Sequence, residues 1–155
     1  MVKKELAHIR VEIESIEFLL AEYDVVLREF LSLPRNKVND LAIAALLNSF
    51  YGGLENIFQR IAKKIDNQMP SGEHWHTELL MQMLGVTEKR PRLLSDETSI
   101  LLKEYLQFRY FFRHNYMFVL EHERLSKLVQ PLSEVWRKTR GDLETFINAL
   151  ESIQE

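Results

Sequence analysis

Residues 108–118, FRYFFRHNYMF, place two arginines and a histidine among aromatic rings near the end of a predicted helix. At about 100° per residue, Arg109 falls within the apolar stripe of this helix, and Arg113 lies about 40° from it. An unpaired buried charge is too costly, so such an arginine pairs internally, snorkels along its stem or meets an anion. Glu55 and Glu17 are the candidate internal partners. The sequence thus leaves an internal ion pair and an anion-binding cleft as alternatives.

The histidine of this stretch, His114, lies about 140° from Arg109 on an ideal helix. The two side chains therefore cannot converge on one substrate atom from a straight segment. Either the helix distorts at its end, or a second copy of the chain completes the site. On spacing alone, a histidine in this position is more often an exposed helix-end residue than a catalyst.

The charge distribution limits the kinds of partner. The net charge of −3 argues against a protein that coats nucleic acid non-specifically. Residues 101–140 nevertheless carry eight basic and four acidic side chains, so positive charge is concentrated around the arginine-rich stretch. A local anion site is compatible with this distribution.

Composition favours an all-α protein with a sizeable core. The 155 residues include 46% hydrophobic residues but only five glycines and four prolines, which suits helices better than a turn-rich β protein. Cysteine is absent, which excludes disulfides and thiolate metal sites. Acidic residues interrupt the apolar runs at the N-terminus, and no uninterrupted apolar run reaches a membrane span of about 18 residues. We expect a cytoplasmic protein with no membrane partner.

Apolar periodicity predicts two long helices in the first half, over residues 3–31 and 38–65, separated by Leu33-Pro34. The second is apolar on most sides at first, so we expect it to be central. Gly52 and Gly53 lie within it and suggest that a neighbouring backbone approaches closely there.

The second half predicts a short helix over residues 73–84, a loop, and a helix that begins after the capping residue Ser95. A final helical segment over residues 122–152 should break at Pro131 and weaken at Gly141. Together these elements predict one domain, residues 1–155, built as an up-and-down four-helix bundle with an extra short helix.

The segment from Arg109 to Tyr116 reads R-x4-H-x-Y and resembles the signature of the HEPN ribonucleases. It is most similar to the HepT toxins that pair with small MNT-type nucleotidyltransferase antitoxins. The flanking stretches WHTELL (75–80), KRPRLLSDET (89–98) and LEHERL (120–125) also resemble this branch. The resemblance implies a HEPN-like bundle whose two-fold homodimer brings both motifs to one cleft.

The function implied by this resemblance is a metal-independent endoribonuclease toxin without a cofactor. Arg109 would stabilise the charge that develops on the RNA phosphate, and Arg113 would hold a neighbouring phosphate. His114 would be the general acid or base for attack by the RNA 2′-hydroxyl. The partner nucleotidyltransferase would silence the toxin by attaching AMP to Tyr116, which would put negative charge and bulk into the anion cleft.

Two other functions remain open. Tyr110 follows the motif arginine where a polar residue is common in HEPN ribonucleases, and some relatives on this fold serve only as helical partners of a nucleotidyltransferase. One alternative is therefore a catalytically inactive HEPN subunit that binds such an enzyme. The other is a dimeric scaffold in which Arg109 is held in a structural ion pair.

The pair His74 and His76 is a weak candidate for a metal site. Residues two apart on a helix face different ways, so two such histidines rarely bind one ion. The family likeness instead implies a structural segment in which Trp75 packs inward. Neither a glycine-rich phosphate loop nor a G-x-S-x-G pattern occurs, so we expect no ATP site of a recognisable kind.

Overall fold

The computed structural model describes residues 1–115 and 120–154, which form α-helices, one π-helical turn and no strand. The helices are α1 (Val2–Glu22), α2 (Asp24–Ser32), α3 (Lys37–Arg60, followed by the π-helical turn Ile61–Ile65), α4 (Trp75–Gln82), α5 (Asp96–His114), α6 (His122–Val129) and α7 (Leu132–Gln154). The predicted all-α class is confirmed. So is the predicted arrangement of four long helical segments with one short insert, α4.

The central element of the bundle is α3, which packs against α1, α2, α4, α5 and α6. Together with the π-helical turn it is the one described helix that is long and apolar enough to cross a membrane by length and composition. Within the 18-residue window of this helix that meets the apolar criterion, 56% is buried inside the protein. Its apolar residues thus form much of the core, as the sequence predicts for a central helix.

The first predicted helix is wrong in one respect, because it divides at Tyr23 into α1 and α2. No glycine or proline marks this position in the sequence. The change of direction carries α2 onto α3 and α6, where Phe30 is buried and its ring lies 4.5 Å from the ring of His122. Tertiary packing therefore decides this break.

The two helix-weakening residues of the last segment have different outcomes. The break at Pro131 is confirmed, since α6 ends at Val129 and α7 begins at Leu132. At Gly141 α7 continues without interruption, so the predicted weak point does not end the helix. A glycine inside a helix costs about 1 kcal/mol relative to alanine, which the long buried face of α7 can outweigh.

Aromatic residues fix the end of α5 against its neighbours. Phe108 is buried, and Phe111 and Phe112 pack against the core. The guanidinium of Arg124, on α6, lies 4.6 Å from the centre of the Phe111 ring, within the range of a cation–π contact. Tyr105 donates a hydrogen bond to the carbonyl of Leu128 at 2.6 Å. Phe108, Phe111 and Phe112 thus anchor the helix that carries Arg109, Arg113 and His114.

Candidate active site

A cleft of about 230 Å³ lies between α4 and the C-terminal half of α5. It brings together the three predicted site residues that the structure describes, with additional residues from α4. Its lining consists of Trp75, His76, Leu106, Arg109, Tyr110, Arg113 and His114. Tyr116, predicted as a modification site, lies outside the described residues.

Arg109 is held at the wall of this cleft by α3. Its Nη1 donates hydrogen bonds to the backbone oxygen of Asn48 at 3.0 Å and to the side-chain Oδ1 of Asn48 at 2.9 Å. Its Nε lies 3.8 Å from Oε1 of Glu55, and this buried nitrogen has no hydrogen-bond partner among the described residues. Of the two internal partners considered, Glu55 is therefore the one in contact. Glu17 instead pairs with Arg140 and accepts a hydrogen bond from Trp136.

The surroundings of Arg109 favour an additional negative charge. Burial lowers the pKa of the Arg109 guanidinium, Glu55 opposes this effect, and the positive charge of Arg113 lowers the pKa further. Arginine nevertheless remains protonated in proteins. Two guanidinium groups that repel each other beside one cleft would both be stabilised by an anion bound between them.

Because Gly52 has no side chain, the Arg109 guanidinium can lie directly against α3 at this position. A Cβ atom at this position would lie 3.0 Å from Nη1 and 3.3 Å from Cζ of Arg109. At Gly53 a Cβ atom would lie 2.8 Å from Cγ1 of Ile16. The prediction of a closely approaching backbone is therefore wrong, because both glycines accommodate side chains from neighbouring helices.

Glu55 connects the arginine to a histidine of α4. Its Oε2 lies 2.8 Å from Nδ1 of His76, and its side chain is only 4% exposed. The carboxylate can only accept, so Nδ1 of His76 carries the proton in this hydrogen bond. Burial, with Glu55 nearby, also raises the pKa of Tyr51 far above its usual value, which keeps this phenol neutral. One buried carboxylate of α3 thus faces cleft residues from both α4 and α5.

His114 is the last residue of α5 and is exposed at the cleft. Its Nδ1 lies 2.8 Å from the carbonyl oxygen of Tyr110, and the two rings stack with centroids 4.1 Å apart. Because a carbonyl oxygen only accepts, Nδ1 is the donor, and Nε2 is the nitrogen left for other chemistry. Tyr110, the residue after Arg109, therefore supplies a ring that orients the imidazole.

The 140° separation of Arg109 and His114 does not keep them from one cleft. The backbone of α5 stays α-helical through His114, so the helix does not distort to bring them together. Instead the cleft extends along α5, with Arg109 in its wall and His114 at its end. Arg113 is exposed on the same cleft.

The weak candidates for a metal site were His74 and His76. Within residues 1–115 and 120–154, no group of three or more histidine, aspartate or glutamate side chains could hold a metal ion. Trp75 is only partly buried, and its ring contacts the ring of His76 with centroids 3.5 Å apart and the planes tilted by 32°. The expectation of a purely structural segment misses the position of His76 at the cleft.

Sequence reasoning also missed the role of Asn48. Asn48 on α3 contacts Arg109 because α3 packs against α5. His76 on α4 contacts Glu55 because α3 packs against α4. No local pattern in the sequence indicates either contact.

The chain matches the family model described as HepT-like protein over residues 42–150. This range runs from α3 to α7 and includes every residue that lines the cleft. No curated protein and no solved structure was found to match the chain. The family match covers most of the chain and includes the R-x4-H segment, so the chain belongs to the HepT-like family of HEPN helical proteins.

Proposed function

We propose that this protein is a metal-independent endoribonuclease toxin and that the cleft between α4 and α5 is its active site. The observation that carries the proposal is the setting of Arg109. The side chain is anchored by Asn48 through Nη1 and is 17% exposed at the cleft, while Nη2 makes no hydrogen bond to a described residue. A guanidinium so placed in a cleft has donors left for a phosphate oxygen.

The reaction is transesterification at an RNA phosphate. The 2′-hydroxyl loses its proton and attacks phosphorus, and the bond from phosphorus to the 5′-oxygen breaks. The products are a 2′,3′-cyclic phosphate and a 5′-hydroxyl end. Arg109 stabilises the negative charge that builds up on the phosphate oxygens, and Nε2 of His114 exchanges a proton with a reacting oxygen. Arg113, exposed beside them, holds a neighbouring phosphate.

The proposed partners follow from the family and the charge of the cleft. The active protein is a two-fold homodimer, and its antitoxin is an MNT-type nucleotidyltransferase. That enzyme attaches AMP to Tyr116, two residues beyond His114 in sequence. Co-expression with such a nucleotidyltransferase should add the mass of AMP to the chain and abolish cleavage. A Tyr116→Phe chain should gain no mass and should stay active in the same cells.

The proposal is tested by RNA cleavage with the purified, unmodified protein in EDTA. Arg109→Lys keeps the charge but loses the planar set of donors, and we expect cleavage to fall about 100-fold or more. His114→Ala should lose a similar or larger factor. Lys103→Ala is the matched control, because Lys103 is an exposed cation on the same helix that does not line the cleft.

The opposite outcome is equally specific. If the wild type cuts no RNA, or if all three variants cut at the wild-type rate, the ribonuclease proposal is wrong. A wild type that is inactive but forms a stable complex with the nucleotidyltransferase would identify the chain as a binding subunit.

A further inference from the structure

His76 is a second imidazole at the cleft that the R-x4-H motif does not include. It lies at the start of α4 and lines the same cleft as Arg109, Arg113 and His114. Its side chain is 22% exposed, so it is neither fully buried nor free in solvent. The ring of Trp75 lies against the His76 ring, with centroids 3.5 Å apart, and restricts its orientation.

The two imidazoles of the cleft are held in the same way. Nδ1 of His76 donates to the Glu55 carboxylate, and Nδ1 of His114 donates to the Tyr110 carbonyl, each at 2.8 Å. Each ring therefore keeps Nε2 as the nitrogen that its anchoring hydrogen bond does not use. A hydrogen bond that fixes Nδ1 also fixes the orientation of Nε2.

The two anchors differ in charge, and this difference separates the roles of the rings. The Glu55 carboxylate places a buried negative group 2.8 Å from Nδ1 of His76. The Tyr110 carbonyl is neutral, and Arg113 adjoins His114 in sequence and at the cleft. The charged and titratable groups around His76 are Glu55 on α3, Glu73 and His74 just before α4, and Arg109, Arg113 and His114 on α5. Within this set Glu55 is the one that makes a hydrogen bond to His76.

We propose that His76 is a catalytic residue of the ribonuclease, the general acid that protonates the leaving 5′-oxygen. This inference rests on the proposed function and deepens it. His114 takes the proton of the 2′-hydroxyl as that oxygen bonds to phosphorus. As the bond from phosphorus to the 5′-oxygen breaks, His76 gives its Nε2 proton to that oxygen. The step leaves His76 neutral and His114 protonated, so protons and charge balance.

The test compares two RNA substrates that differ only in the leaving atom. The first has the ordinary 5′-oxygen at a single cleavable ribonucleotide, and the second has sulfur at that bridging position. A thiolate leaves without being protonated, so a variant that lacks only the general acid recovers on the sulfur substrate. A variant that lacks the general base stays slow on both substrates.

Two variants of His76 separate catalysis from structure. His76→Ala removes the ring. His76→Asn keeps an N–H group near Nδ1 that can still donate to Glu55, but it has nothing in place of Nε2. On the oxygen substrate we expect both variants to be about 100-fold slower than the wild type or more. On the sulfur substrate both should return to within about 10-fold of the wild-type rate, since only the general-acid contribution is missing.

Controls come from the neighbouring histidines. His74→Ala should match the wild type on both substrates, and His114→Ala should be slow on both. Thermal unfolding of each variant shows whether the fold is intact, and His76→Asn is the variant designed to keep it.

Each other result overturns the inference in a distinct way. If His76→Asn cuts the oxygen substrate at the wild-type rate, His76 only positions Glu55 and Arg109. If the variants are slow on both substrates, His76 is not the acid. If the wild type cuts neither substrate, the ribonuclease proposal itself fails and this inference fails with it.

Discussion

At the residue scale, the Arg109 guanidinium depends on the missing side chain of Gly52. We predict that Gly52→Ala displaces it, because the added Cβ would lie 3.0 Å from Nη1. The guanidinium is the end of a flexible side chain, so it can shift without disrupting α3. We expect RNA cleavage to fall about 10- to 100-fold, as when a catalytic group is misplaced by about 1 Å. The free energy of unfolding should change by less than about 1 kcal/mol, since alanine favours the helix.

Gly141 is the matched control for this substitution. It also lies inside a helix, α7, but a Cβ there would have no atom within 4 Å. Gly141→Ala should therefore raise the free energy of unfolding by about 0.5–1 kcal/mol and leave cleavage unchanged. Equal cleavage by the two alanine variants would show that the position of the guanidinium does not limit the reaction.

At the scale of elements, α1 and α3 are joined by an ion pair that should respond to pH. Glu5 accepts a hydrogen bond from Nη1 of Arg60 at 2.8 Å, and this bond holds the pKa of Glu5 below its usual value. A lowered pKa in the folded state stabilises the protein above the unfolded pKa of about 4.3. The stabilisation is lost as the pH falls through the lowered value.

The substitution Glu5→Gln tests this linkage. At pH 7 we expect it to reduce the free energy of unfolding by about 1.5 kcal/mol, the lower end of the range for a hydrogen bond to a charged group, because the Arg60 side chain is 33% exposed. The difference from the wild type should shrink as the pH falls through the lowered pKa of Glu5, because the carboxyl then becomes protonated and uncharged like the amide. Urea unfolding over a pH series measures it, with the exposed Glu14→Gln of the same helix as the control. A difference that does not depend on pH would show that the carboxylate charge is not responsible.

The connection between α4 and α5 is held by a buried arginine. Arg90 is 2% exposed and makes hydrogen bonds to both carboxylate oxygens of Asp66. It also donates to the carbonyl oxygens of Gln82, Gly85 and Pro91. Arg90 thus ties the basic stretch KRPRLL, which the sequence predicts as loop, to the end of the π-helical turn.

We predict that Arg90→Ala lowers the free energy of unfolding by about 3–5 kcal/mol, because it leaves Asp66 buried without its partner. The control is Arg28→Ala, which removes an exposed pair with Asp24 on α2 and should cost no more than about 0.5 kcal/mol. Chemical denaturation measures both. Similar small effects for the two variants would mean that Arg90 does not hold this connection.

At the scale of the whole molecule, helical periodicity accounts for most of the fold. The long apolar patterns and Pro131 predict the four segments, because burial of an apolar face and the missing N–H of proline act locally. The break at Tyr23 has no local cause, since it depends on where Phe30 meets α6. Such a break is set by the packing of distant helices and is absent from the local pattern.

The candidate site was predictable only in part, because its residues come from separate helices. Arg109 and His114 share one helix and one short motif, so their spacing is visible in the sequence. Glu55 and His76 are 21 residues apart, on α3 and α4, and meet only when these helices pack. Glu55 was identifiable as a partner of Arg109 because a buried cation needs a carboxylate. Nothing in the sequence indicated that the same carboxylate also holds His76.

The central claim is that the cleft cleaves RNA through the 2′-hydroxyl without a metal. The most direct test is single-turnover cleavage in EDTA of two oligonucleotides that differ only by a 2′-O-methyl group at the scissile nucleotide. Our account predicts that the unmodified RNA is cut to a 2′,3′-cyclic phosphate and a 5′-hydroxyl, and that the methylated RNA stays intact at that position. Cleavage of both at equal rates, or of neither, would contradict it.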